Sequence, residues 1–95
     1  MHAYETLFII RPDLEAESID AAVERFKTLI EDENGTVESI EKWGKRRLAY
    51  LIGDYQEGYY VLINFTASAG TVQELERIFK ISEEVIRYLT TRKDA

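Results

Sequence analysis

The stretch "WGKRRLAYLI", residues 43–52, holds the densest group of chemically capable side chains in the chain. With Lys42 directly before it, Lys45, Arg46 and Arg47 place four of the twelve basic residues within six positions. The surrounding protein has 18 acidic residues and a formal charge of −6. Arginines splayed at the end of a strand, with Tyr50 close by, suit clamping of phosphates. Two other uses fit the run, one accounting for Lys42 and Lys45 and less well for the arginines, the other suiting the arginines equally well. Lysines along a strand edge guard it against edge-to-edge pairing, and the arginines could pair with acids such as Glu41.

A second stretch, "EGYYVLINF" at residues 57–65, can be laid on the aromatic strand signature of an RNA-recognition motif. The match is poor. Glu57 stands where a basic residue is expected, Tyr60 where Gly or Ala is expected, and Val61 where Phe is expected. A hydrophobic contact with a partner therefore suits Tyr60 better than base stacking. Catalysis has little to stand on. Glu17, Asp20 and Glu24 follow the spacing of a solvated helix face rather than a tuned acid–base pair. Ser18, Ser39, Ser68 and Ser82 have no histidine to activate them, and no Gly-rich phosphate loop is present. With no cysteine and a single histidine, His2, neither a thiolate nor a shared imidazole metal site is expected, and no cofactor is implied.

The elements that position these residues follow from periodicity. Tyr4–Ile10 reads as a first strand, closed by Arg11-Pro12-Asp13. From Ala16 to about Asp32, apolar residues Ile19, Ala22, Val23, Phe26, Leu29 and Ile30 recur at helical spacing, and Asn34-Gly35 supplies a left-handed exit. Thr36–Tyr50 reads as a long strand with a bulge at Gly44, and Gly53–Gly58 as a connecting loop. Tyr59–Thr66 is a third strand. Thr71-Val72-Gln73-Glu74 has the form of a capping box opening a second helix, and Val85–Thr91 is a last strand. The order β-α-β-β-α-β predicts an α+β, ferredoxin-like fold: a four-stranded antiparallel sheet with two helices on one face, strands one and three central.

Ninety-five residues with 45% hydrophobic and 32% charged content fit one soluble domain spanning 1–95. No apolar run approaches the ~18–20 residues of a membrane span, and "MHAYETLFII" reads as a strand rather than a signal peptide, so a cytoplasmic location is expected. Strand parity assigns Val61, Ile63 and Phe65 to the helix-covered core. It sends Leu7, Ile9, Tyr60 and Leu62 to the open face, where an exposed apolar cluster marks a partner surface. The acidic balance disfavours solitary binding to nucleic acid and fits a protein that works beside a basic partner.

The run Gly44, Lys45, Arg46, Arg47, Leu48, Ala49, Tyr50, Leu51, Ile52 resembles the Gly-x-basic-polar-Leu-Ala-Tyr-x-Ile motif of a known family, the sixth protein of the bacterial small ribosomal subunit (ribosomal protein S-six). Tyr4-Glu5, Pro12-x-Leu14, Gly35, Gly58-Tyr59 and Val85-Ile86-Arg87 extend the resemblance along essentially the whole chain. Gly53 and Trp43 depart from it, the latter standing where an aliphatic residue is expected. The resemblance implies a non-enzymatic, ribosome-associated protein that binds the central domain of 16S ribosomal RNA as a heterodimer with the basic small-subunit protein S-eighteen, and that is a monomer when isolated. Within that frame Arg46, Arg47, Arg87 and Arg92 are expected on RNA phosphates. Leu7, Ile9, Trp43, Tyr50, Tyr60 and Leu62 are expected against the protein partner, with strand addition at strand two as one mode. The rival reading is a homodimeric small-molecule-binding or regulatory domain on the same fold, with open sheet faces back to back.

Overall fold

The structure, a computed structural model, describes residues 1–93. Its elements are β1 (His2–Ile10), α1 (Ala16–Asp32), β2 (Thr36–Ile52), β3 (Tyr55–Ala67), α2 (Ala69–Ile81) and β4 (Val85–Arg92). The four strands form one antiparallel sheet in the order β2-β3-β1-β4. This is the ferredoxin-like arrangement, with β1 and β3 central. Among the described residues no helix is long and apolar enough to cross a membrane.

Register explains which side of the sheet each residue takes. Tyr4, Thr6 and Phe8 lie opposite Phe65, Ile63 and Val61, and all six are buried. Period-two alternation puts them on one face, where α1 contributes Ile19, Ala22, Val23, Phe26 and Ile30 and α2 contributes Leu75 and Phe79. Three phenylalanines, one from β1 and one from each helix, close the centre. Phe8 meets Phe26 at 5.3 Å and Phe79 at 5.0 Å between centroids, and Phe26 meets Phe79 at 4.8 Å. Such tilted and edge-on contacts suit the ring quadrupoles. Buried polar groups are paired: Thr90 Oγ1 donates to Thr6 Oγ1 at 2.9 Å, and Thr71 Oγ1 donates to the Glu33 carbonyl at 3.4 Å.

Local chemistry corrects the sequence reading in two places and sharpens it in one. Ser68, not Thr71, caps α2: its Oγ accepts from the Thr71 backbone N–H. Thr71 is buried inside the first turn, and Glu74 pairs with Arg77 instead of reaching back. The left-handed exit of α1 expected at Asn34-Gly35 is present, taken by Asn34 at φ 65°. Gly35 serves close approach, since a Cβ there would lie 2.7 Å from Ile30 Cγ2 and 2.9 Å from the Ile30 carbonyl oxygen.

The second correction matters most for function. Residues 53–58 do not form a loop. β2 and β3 continue past the body of the sheet as a two-stranded arm, joined by Gly53-Asp54 with Gly53 at φ 59°. Glycine with positive φ at the first turn position matches the twist of a tight hairpin. Register shifts fall between Val37 and Ser39, between Lys42 and Gly44, and between Arg47 and Ile52. Each such shift bends a strand and increases its twist, and the arm curls toward the sheet face that the helices leave open.

Candidate functional site

The open face is built from three rows of facing residues. Leu62, Leu7 and Leu89 form an apolar row across β3, β1 and β4. Tyr60, Ile9 and Arg87 form the row beside it, and Asn64, Glu5 and Thr91 the row on the other side. Leu89 is 63% exposed, while Leu7, Leu62 and Tyr60 are half-buried. The arm leans over this surface. Its Leu48, Ala49, Tyr50 and Ile52, with Leu7, Ile9, Tyr60 and Leu89, line a hollow of about 320 Å³.

Ile9 differs from expectation. Its side chain does take the open face, but it is only 7% exposed. It packs over Gly58, where a Cβ would stand well inside van der Waals distance of Ile9 Cγ2, and the curled arm crowds the same region. Ile9 is thus the floor of the hollow rather than a contact surface. Gly58→Ala is expected to destabilise the protein by about 1–3 kcal/mol through this overpacking. Urea unfolding checks it, through a lower midpoint at unchanged m-value.

The basic run does not form a patch. Lys42 pairs across the strand with Val61, on the helix side, and its Nζ lies 2.6 Å from Asp20 Oδ1. That hydrogen bond raises the Lys42 pKa against the opposing effect of desolvation. Lys45 faces Tyr59, on the same side. Arg47 stands opposite Glu57 at the root of the arm, exposed, and its side chain makes no hydrogen bond or ion pair among the described residues. Arg46 alone takes the open face, opposite Gly58. Arg92, opposite Tyr4 in register, lies on the helix side, with Nη2 2.8 Å from His2 Nδ1. Of the four arginines expected to share a role, Arg46 and Arg87 lie on the open face, and Arg47 and Arg92 on the other.

Those two arginines are held in the same way. The Arg46 guanidinium lies over the Trp43 ring, 5.2 Å from its centroid. Trp43 in turn lies parallel to Tyr60, at 6.3 Å and 9°, and its Nε1 donates to Glu41 Oε1 at 3.4 Å. On the other edge, Arg87 lies 5.6 Å from the Tyr50 centroid and donates to the Tyr50 hydroxyl. Neither forms an ion pair with a carboxylate among the described residues. Three other arginines show the opposite pattern. Arg11 binds Asp13 at 2.8 Å, Arg25 binds Glu84 at 2.7 Å, and Arg77 binds Glu74 at 2.5 Å. Arg11 and Arg77 hold the carboxyls of Asp13 and Glu74 below their ordinary pKa through these hydrogen bonds. A cation resting on an aromatic face is oriented without being neutralised. Arg46 and Arg87 therefore stand unneutralised by any described carboxylate, one on each edge strand of the sheet.

The far end of the same face is polar. Thr66 donates to Glu38 at 3.2 Å, Asn64 to Ser39 at 3.1 Å, and Lys93 Nζ to Asn64 Oδ1 at 2.9 Å. No group of three or more His, Cys, Asp or Glu side chains suited to a metal ion occurs among the described residues. Strand addition at β2 is disfavoured by its three register shifts, since a bulged edge offers no continuous ladder. Sequence reasoning missed Leu89 and the arm. Leu89 shares parity with Arg87 and could have been found from it. The contact between Tyr50 and Arg87 joins positions 37 apart and has no local signal.

A profile of the family described as ribosomal protein S6 matches residues 3–92. The small ribosomal subunit protein bS6 of Desulfitobacterium hafniense is 51% identical over 94 residues, covering 99% of both chains. That of Moorella thermoacetica is 54% identical over 92 residues, covering 97% of this chain and 94% of its own. The crystal structure of 30S ribosomal protein S6 from Thermotoga maritima superposes with a TM-score of 0.93 at 36% identity, covering 98% of this chain and 88% of that one. The C-terminal domain of the MgtC protein from Mycobacterium tuberculosis reaches a TM-score of 0.60 at 12% identity, again covering 98% and 88%. That second likeness concerns the fold alone, which serves unrelated functions.

Proposed function

We propose that this chain, which belongs to the ribosomal protein S6 family and is a small-subunit ribosomal protein, not an enzyme, binds the central domain of 16S ribosomal RNA as a heterodimer with the small-subunit protein S-eighteen. The observation that carries the reading is the pair Arg46 and Arg87, held on aromatic rings with no carboxylate partner among the described residues, on the two edge strands of the face that carries the Leu62–Leu7–Leu89 strip. The strip supplies apolar area for the protein partner, together with Tyr60 and the inner side of the arm. The two arginines, with exposed Arg47 at the root of the arm, contact RNA phosphates. Arg92 contributes from the other face of the sheet.

Charge explains why two proteins are needed. A chain of net charge −6 repels the phosphate backbone at long range, and a basic partner reverses that sign so that the local arginine contacts become effective. Its place is the cytoplasmic ribosome. Light scattering tests the pairing. The isolated chain is expected at monomer mass, and an equimolar mixture with the S-eighteen protein at the mass of a one-to-one complex. A stable homodimer that ignores the partner would instead favour a back-to-back regulatory domain.

A further inference from the structure

We infer that Trp43 positions Arg46 for RNA instead of docking the protein partner, so that Tyr60, Trp43 and Arg46 form one preorganised phosphate-binding element. The inference rests on the RNA-binding reading above and goes further by giving a role to a side chain at a strand irregularity. The register shift between Lys42 and Gly44 leaves Trp43 without a cross-strand partner. Gly44 has φ +83° with nothing within 4 Å of where its Cβ would be. Glycine there serves backbone conformation, not space, and the bulge it permits turns Trp43 onto the open face.

Once there, the indole is fixed from two directions. Tyr60 lies parallel to it at 9°, and Glu41 accepts its N–H. Glu41 is also the acid closest in sequence on that face, and its Oε1 is engaged by the indole rather than by Arg46. Arg46 then rests over a ring that is itself only 38% exposed. A guanidinium held over a ring face keeps N–H donors available to take two phosphate oxygens at once. Much of the rotamer freedom that an unsupported surface arginine loses on binding is already lost.

A double-mutant cycle tests this, read as affinity of the heterodimer for a central-domain fragment of 16S RNA across a salt series. Arg46→Ala is expected to weaken binding about tenfold and to reduce the salt slope by about one. Trp43→Leu is expected to weaken it about two- to fivefold, the range of a surface cation–π contact, with the slope unchanged because no charge is removed. In the Arg46→Ala background Trp43→Leu should add nothing, and with Arg46 present Trp43→Phe should retain most of the affinity that Trp43→Leu loses. Losses that multiply, or a Trp43→Leu defect in heterodimer formation without RNA, would overturn the positioning role and make Trp43 a partner contact. An Arg46→Ala variant with full RNA affinity would remove the RNA role of this face itself. Circular dichroism melting of each variant separates unfolding from these outcomes.

Discussion

Replacing Arg46 and Arg87 together by alanine is expected to weaken binding of the heterodimer to central-domain RNA by about a hundredfold or more, with the fold intact. The magnitude follows from two charge-assisted hydrogen-bonding groups at ~1.5–3 kcal/mol each, where about 1.4 kcal/mol is a tenfold change in affinity. The salt slope should fall by about two, one for each phosphate that is no longer neutralised. Arg25→Ala with Arg77→Ala removes the same formal charge from side chains already bound to Glu84 and Glu74. Those sites are distant from the open face, and screening at physiological salt leaves them little influence on it, so this control should bind nearly as the parent does. Arg87 also holds the Tyr50 hydroxyl. Tyr50→Phe, which removes that bond and keeps the ring, separates loosening of the arm from loss of the cation. Equal effects from the two double variants would mean that net charge alone governs binding.

Phe26→Ala is expected to cost about 3–5 kcal/mol of folding stability, a large share of the ~5–15 kcal/mol typical of a domain. Phe26 is fully buried, meets the rings of Phe8 and Phe79, and carries the guanidinium of Arg25 over its ring at 5.2 Å. Alanine would open a cavity where β1, α1 and α2 converge, with three separate elements unable to collapse into it at once. The drop should appear as a lower urea midpoint at unchanged m-value. A loss below ~1 kcal/mol would mean that α1 is not seated on the sheet as described. Because the open face uses the opposite side of the same strands, a Phe26→Ala protein that remains folded should still pair with its partner.

The core was legible because β3 alternates strictly from Val61 to Ala67. Val61, Ile63 and Phe65 have a period of two and nothing between them that favours the same side, so parity alone buried them. The register of β1 with β3 then carried Leu7, Tyr60 and Leu62 to the open face as expected. Helix capping was less legible. Thr71 and Glu74 have the spacing of a capping box, yet Thr71 is drawn inside by its bond to the Glu33 carbonyl, a tertiary contact that no local pattern announces. The same limit applied to the binding face. Alternation places Arg46 and Arg47 on opposite sides, as observed, but the bulge at Trp43 decides which side each receives. The curl of the arm, built from three register shifts, brings Tyr50 to Arg87 and covers Ile9. Neither outcome can be read from hydropathy, because both arise from strand twist accumulated over many residues.

The most direct measurement is a salt-series binding titration of this chain against the central domain of 16S ribosomal RNA, with and without the S-eighteen protein. The expected result is binding that requires both proteins, with the logarithm of the affinity falling linearly as the logarithm of salt rises. No RNA affinity with or without the partner would contradict the assignment of the open face to RNA and protein assembly.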